Sequence, residues 1–183
     1  MSLYSMLAAA KTLGSKDGDY FNADQQGVVV FHRPIFKEDR RSGKKTVILV
    51  SEILEAHAKV ADAKVQAPGT KVKKIYAISK RDWAIDELKT DLLHVLGVDP
   101  KTISDEQLEE TFAVAFEGEE VNGKRSGVGE LTGIAANFDT TSKPREGKVT
   151  LTQIYFKAAS DELNSPEKVA QRREKILASE PKK

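Results

Sequence analysis

SKRDWAIDELKTDLLHVLG, residues 79–97, has a start, a period and an end that can all be read. Ser79 followed three residues later by Asp82 forms a capping box, in which hydroxyl and carboxylate satisfy free N–H groups of a first helical turn. Ile85, Leu88, Leu92 and Val95 recur at helical spacing with Asp86, Lys89 and Asp91 between them, which predicts an amphipathic helix. Gly97 closes it, and Pro100 prevents its resumption. Strand-like runs lie on both sides of this helix, so the fold turns on how many there are and in what order.

Upstream, GVVVFHRPIFK (27–37) is dense in β-branched and aromatic residues and predicts a first strand over about 28–37. Pro34 cannot donate to a ladder, which places it at an edge or a bulge. KEDRRSGKK (37–45) is then a hairpin turn with a basic tip. A second strand follows from Val47 to about Ala56, although the alanine-rich stretch 51–63 also reads as a helix capped by Ser51. After a turn at Ala67, Pro68 and Gly69, TKVKKIYAIS (70–79) is the third strand and runs into the helix.

Downstream, Ser104 with Gln107 repeats the capping signature for a second helix carrying Leu108, Phe112 and Ala115 and ending before Gly118. GELTGIAANFD (129–139) reads as the fourth strand, TTSKPREGK (140–148) as a loop and VTLTQIYFKA (149–158) as the fifth strand. Residues 1–14 suggest a short amphipathic helix with a polar lead-in behind it. Ser165 and Pro166 start a basic terminal helix with Val169, Arg173, Ile176 and Leu177.

With 39% hydrophobic and 31% charged residues over 183 positions, the chain has the composition of one soluble globular domain. It has no cysteine, which excludes disulfides and cysteine-bound zinc and is compatible with a cytoplasmic location. The apolar run near the start is too short to span a bilayer. Residues 82–120 carry twelve acidic and two basic side chains, a net of −10, which leaves +11 for the rest of a chain whose total is +1. The strand-forming part is therefore basic, and an anionic partner is expected there.

Three strands, a helical insert and two strands is the element order of an OB-fold, a five-stranded, partly open barrel that binds oligonucleotides on a strand face and in two loops. The expected architecture is mainly β: an OB-like barrel over residues 27–158, an acidic helical insert at 80–118, a lead-in at 1–26 and a basic helix with its tail at 159–183. The loop between the first two strands holds Arg40, Arg41, Lys44 and Lys45, and the loop between the last two holds Lys143, Arg145 and Lys148. Basic hairpin tips also serve to keep turns solvated, so neither loop decides the function alone.

The string APGTKVKKIYAISKRDWAIDELKTDLLHVLG (67–97), a strand entering a tryptophan-bearing helix that ends in glycine, resembles a group of small bacteriophage proteins that includes OB-fold single-stranded DNA-binding proteins. The resemblance extends over about 27–158. It implies binding of single-stranded DNA or RNA in replication or recombination, replication or recombination proteins as further partners, and a place in the host cytoplasm. A homo-oligomer is compatible with it. Many such proteins end in an acidic tip, whereas this chain ends EPKK.

Single strands are held by cations that follow the phosphates and by aromatic faces on which bases stack. Period-two spacing puts Phe31, Arg33 and Lys37 on one face of the first strand, pairs Tyr76 with Lys74 on the third and pairs Tyr155 with Lys157 on the fifth. Core packing competes for each aromatic, and Trp83 is expected to plug one end of the barrel. His32, His57 and His94 are scattered without metal-ligand spacing, and Gly127, Gly129 and Gly133 do not match a dinucleotide loop. The expectation is a non-catalytic binding protein without metal or cofactor. The competing reading is a virion or replisome interaction module that uses the acidic insert and the terminal helix.

Overall fold

The structure, a computed structural model, describes residues 19–39, 41–78, 82–99, 101–145 and 148–180. The expected N-terminal helix, the Ser79 cap, Arg40, Pro100 and the final three residues lie outside that set. In chain order the elements are β1 (Asp19–Tyr20), β2 (Gln25–Phe31), β3 (Ile35–Glu38), β4 (Lys45–Ala58), β5 (Lys71–Tyr76), α1 (Asp82–Leu96), α2 (Asp105–Glu117), β6 (Glu120–Val121), β7 (Lys124–Arg125), β8 (Ala135–Arg145), β9 (Lys148–Ala158) and α3 (Pro166–Ser179).

One seven-stranded sheet runs β1-β5-β4-β2-β8-β9, with β3 paired to β4 in line with β2. The first predicted strand is thus two strands, broken at His32–Pro34 because proline has no N–H for the ladder. β4 is continuous over Lys45–Ala58, which settles the Ser51 ambiguity in favour of a strand. Between Val28 and Val29 the register shifts, leaving Leu54 of β4 bulged, and here a Cβ on Gly27 would stand 2.0 Å from the Glu55 carbonyl oxygen.

The fold is mixed α and β with a predominantly β framework, but its sheet is open and no closed barrel forms. Part of the free edge of β5 is taken by β1, paired in parallel at Val72 and Lys73, and α1 packs against both β5 and β9. β5, next to the edge strand β1, shares no ladder with the opposite edge strand β9, but the Lys74 ammonium on β5 donates to the Ile154 carbonyl on β9 at 2.8 Å.

The inner face of the curled sheet holds the main core. Phe31 meets Phe156 edge-on at 5.2 Å, and Phe21 meets Phe138 at 5.3 Å. Leu88, Leu92 and Val95 of α1 and Phe112 and Phe116 of α2 cover these rings, so the apolar stripes read from the sequence are the buried ones. The Ser104–Gln107 capping box is formed, and α2 ends at Glu117, followed by Gly118 at φ 85°.

Two strand assignments shift. Residues 129–134 are not strand and 130–133 form a turn, because the chain crosses the end of α2 and donates from Glu130 and Leu131 to the carbonyls of Val114 and Ala115. Gly129 permits that approach, since a Cβ there would lie 2.1 Å from the Ala115 oxygen. The expected loop at 140–148 is largely strand, because β8 continues to Arg145 and takes up Pro144 at a register shift between Lys143 and Arg145.

α3 begins at Ser165 and Pro166 as read from the sequence and lies on the outer face, where Ile176 packs with Val28, Val30 and Ala135. Its arginines hold the turn before β8. Arg172 donates to the Gly133 and Leu163 carbonyls, and Arg173 donates to Thr132 and Glu130.

Candidate nucleic-acid interface

Strand alternation decides which expected binding residues reach solvent. Phe31 is fully buried on the inner face and cannot stack on a base. The break at His32–Pro34 removes the face it was expected to share with Arg33 and Lys37. Arg33 turns to Glu180 at 2.9 Å and to the Gly127 carbonyl at 2.5 Å, while Lys37 is exposed.

Lys74 and Tyr76 are also buried, so β5 presents the opposite face from the one expected. Lys74 Nζ is 2.6 Å from Asp91 and 2.9 Å from Glu87, and the Tyr76 hydroxyl donates to Asp91 at 2.6 Å. Burial raises the Asp91 carboxyl above the ordinary value of 3.8, opposed by the Lys74 charge and the two hydrogen bonds. Burial, reinforced by Asp91, also pushes the Tyr76 phenol well up. The outward residues of β5 are Lys71, Lys73 and Ile75, and Lys73 sits 4.8 Å from the centre of the exposed Tyr20 ring. Sequence reasoning missed this face although the signal was present, since apolar Val72 shares the parity of Lys74 and Tyr76.

The β3–β4 tip keeps its cations outward. Asp39 accepts the backbone N–H groups of Arg41 and Ser42, which lowers its carboxyl pKa, and Gly43 completes the turn at φ 62°. Arg41 and Lys44 are exposed, and Lys45 is half-buried. β8 runs antiparallel to β2, so the β8–β9 tip lies at the other end of the sheet from this one. The two basic loops flank the sheet and do not meet.

On the β8–β9 hairpin, Lys143, Tyr155 and Lys157 do share one face, the outer one. Lys143 stands opposite Leu151, Tyr155 opposite Asp139 and Lys157 opposite Asn137. Arg145 and Lys148 pair in register at the hairpin end, and their side chains lie outside the described set. Tyr155 is 50% exposed, and its hydroxyl donates to Gln153 at 3.0 Å. The row continues through Asp139 and Gln26 to His57, crossing β9, β8, β2 and β4, a span of about 14 Å at the ordinary strand spacing. Lys59 neutralises Asp139 at 2.6 Å. The outer face thus carries an accessible aromatic ring with Lys59, Lys143 and Lys157 around it and no uncompensated carboxylate in the row.

No family model matches the sequence, and no curated protein does.

Trp83, expected to plug a barrel end, is 55% exposed, because Leu88, Leu92 and Val95 supply the buried side of α1. Among the described residues no group of three or more His, Asp or Glu is placed to hold a metal ion. No described helix is long and apolar enough to cross a membrane.

Proposed function

We propose that this chain is a non-catalytic protein that binds single-stranded DNA with little sequence preference, in bacteriophage replication or recombination, on an OB-like barrel in opened form. The observation that carries this is the outer face of β8 and β9: Tyr155, half-exposed, stands between Lys143 and Lys157 on a broad polar sheet surface. An exposed ring is a stacking platform for any base, and flanking ammonium groups meet phosphates without reading base edges. The barrel part of the reading draws on the Lys74 side chain of β5, which reaches the Ile154 carbonyl of β9 on the opposite flank of the sheet.

Titration of a fluorescent oligo-dT and of a duplex of equal length, each at two salt concentrations, tests this reading. Neutralising about four to six phosphates gives a slope of roughly −3 to −4 in log affinity against log salt for a single strand. A salt-independent response, or tighter binding of the duplex, sinks the proposal.

A second reading, docking of a partner protein on the insert, is favoured by one observation: Trp83 is exposed on the acidic helix α1. Trp83→Ala that leaves oligonucleotide affinity intact but abolishes a partner contact supports it.

A further inference from the structure

A cavity of about 220 Å³ lies on the outer face between the β2-β4-β5 part of the sheet and the last turns of α3. Its floor is apolar, made by Val30, Leu54 and Ile176. Lys71 of β5 and Lys175 of α3 both line it, and neither has an ion-pair partner among the described residues. One wall is the His32–Glu52 pair, with Nε2 3.3 Å from Oε2. The volume falls below the roughly 300–1,000 Å³ of pockets for drug-sized ligands, which suits a single ring.

We propose that this cavity takes one unstacked base of a bound strand, with the adjoining phosphate on Lys71 and Lys175, and that Glu52 favours bases carrying an exocyclic amine. The chemistry follows from the lining. An apolar floor receives the faces of a ring, and two exposed ammonium groups without an ion-pair partner are open to an anion. A carboxylate anchored through one oxygen keeps the other to accept from an amino group, as carboxylates do from the cytosine N4 amine. Thymine offers only carbonyls and one ring N–H. The neighbouring arginine, Arg172, is already engaged by the Gly133 and Leu163 carbonyls. Burial, with the Lys71 charge, lowers the His32 pKa and so disfavours the imidazolium that would compete for the phosphate. The proposal rests on the single-strand reading and adds to it a defined base pocket some way from Tyr155.

The test uses the full chain with deoxycytidine and deoxythymidine monophosphates, read from the His32 ring resonances by NMR, alongside the labelled oligonucleotide. We expect dCMP to shift His32 saturably, with His57 and His94 as internal controls that do not move. We expect dTMP to bind more weakly, and Lys71→Glu with Lys175→Glu to weaken dCMP binding by about tenfold or more, while Lys71→Arg with Lys175→Arg retains it. Both lysines are exposed, so these variants should fold. If the oligonucleotide binds and dCMP leaves His32 unmoved, the pocket proposal is wrong and the single-strand reading stands. If dCMP binds and the oligonucleotide does not, the strand-binding reading fails and the cavity is a mononucleotide site. Equal affinity for dCMP and dTMP refutes the role given to Glu52.

Discussion

Lys74 Nζ lies 2.6 Å from Asp91 Oδ2, and the same oxygen accepts the Tyr76 hydroxyl at 2.6 Å. This buried pair joins β5 to α1, and the lysine reaches on to the Ile154 carbonyl of β9. Removing the cation strands a buried carboxylate, so Lys74→Met should destabilise the fold by about 3–5 kcal/mol near neutral pH. Replacing both partners, Lys74→Met with Asp91→Leu, should recover much of that loss. Urea denaturation of the single and double variants measures the coupling; an additive result would show that the pair does not couple β5 to α1.

The same pair sets a pH dependence. Burial holds the Asp91 carboxyl above 3.8, so the folded chain binds this proton more tightly than the unfolded one. Its contribution to stability is therefore full below the unfolded pKa and is lost as pH rises through the raised folded value. Stability curves from pH 3 upward should lose this component in Asp91→Asn. The deficit of Lys74→Met should shrink toward acid, where Asp91 is protonated. A deficit that grows on acidification would reverse the assignment.

Phe31 packs edge-on to Phe156 at 5.2 Å inside the core. Phe31→Ala should cost about 3–5 kcal/mol of folding stability through lost burial and the cavity left behind. Oligonucleotide affinity per folded molecule should stay the same. Calorimetric melting and titration on this one variant give both numbers, and weakened binding with an unchanged Tm would restore the stacking role.

Tyr155 should behave in the opposite way. Because its ring is half in solvent, Tyr155→Ala should weaken single-strand binding by about 1–3 kcal/mol with little change in Tm. Stacking releases no counterions, so the salt slope should hold, whereas Lys143→Ala or Lys157→Ala should each reduce it by about 0.7. Unchanged affinity in all three variants would place the strand elsewhere.

The acidic insert should stay out of binding. α2 packs on the inner core through Phe112 and Phe116, while Tyr155 and its lysines face outward. Neutralising Glu106, Glu109 and Glu110 to glutamine should therefore leave affinity nearly unchanged at moderate salt, where a Debye length of about 10 Å screens charges that do not share the strand's face. A marked gain in affinity would mean that the insert shields the binding face.

Local signals in the sequence determined the elements whose ends are set by neighbours a few residues away. The Ser104–Gln107 capping box and the Ser165–Pro166 start of α3 are of this kind, because each depends on backbone N–H groups within one turn; Pro34 signalled only an edge or a bulge in one strand, and the structure splits that strand in two. The stripe of Leu88, Leu92 and Val95 was likewise legible, since helical spacing alone puts it on one side. What only the tertiary structure decided is which way each strand faces. β2 is buried on both sides, Phe31 inward and Val30 outward under α3, so alternation along it could not separate core from surface. Lys74 turned inward because Asp91, seventeen residues on, supplies a carboxylate where α1 meets the sheet, and a buried ammonium is tolerable only with such a partner. Pro144 stayed within β8 because a register shift accommodates it, and the outer placement of Tyr155 follows from Phe156 beside it filling the core. Burial on a curled sheet is settled by contacts between segments distant in the chain, which no local period encodes.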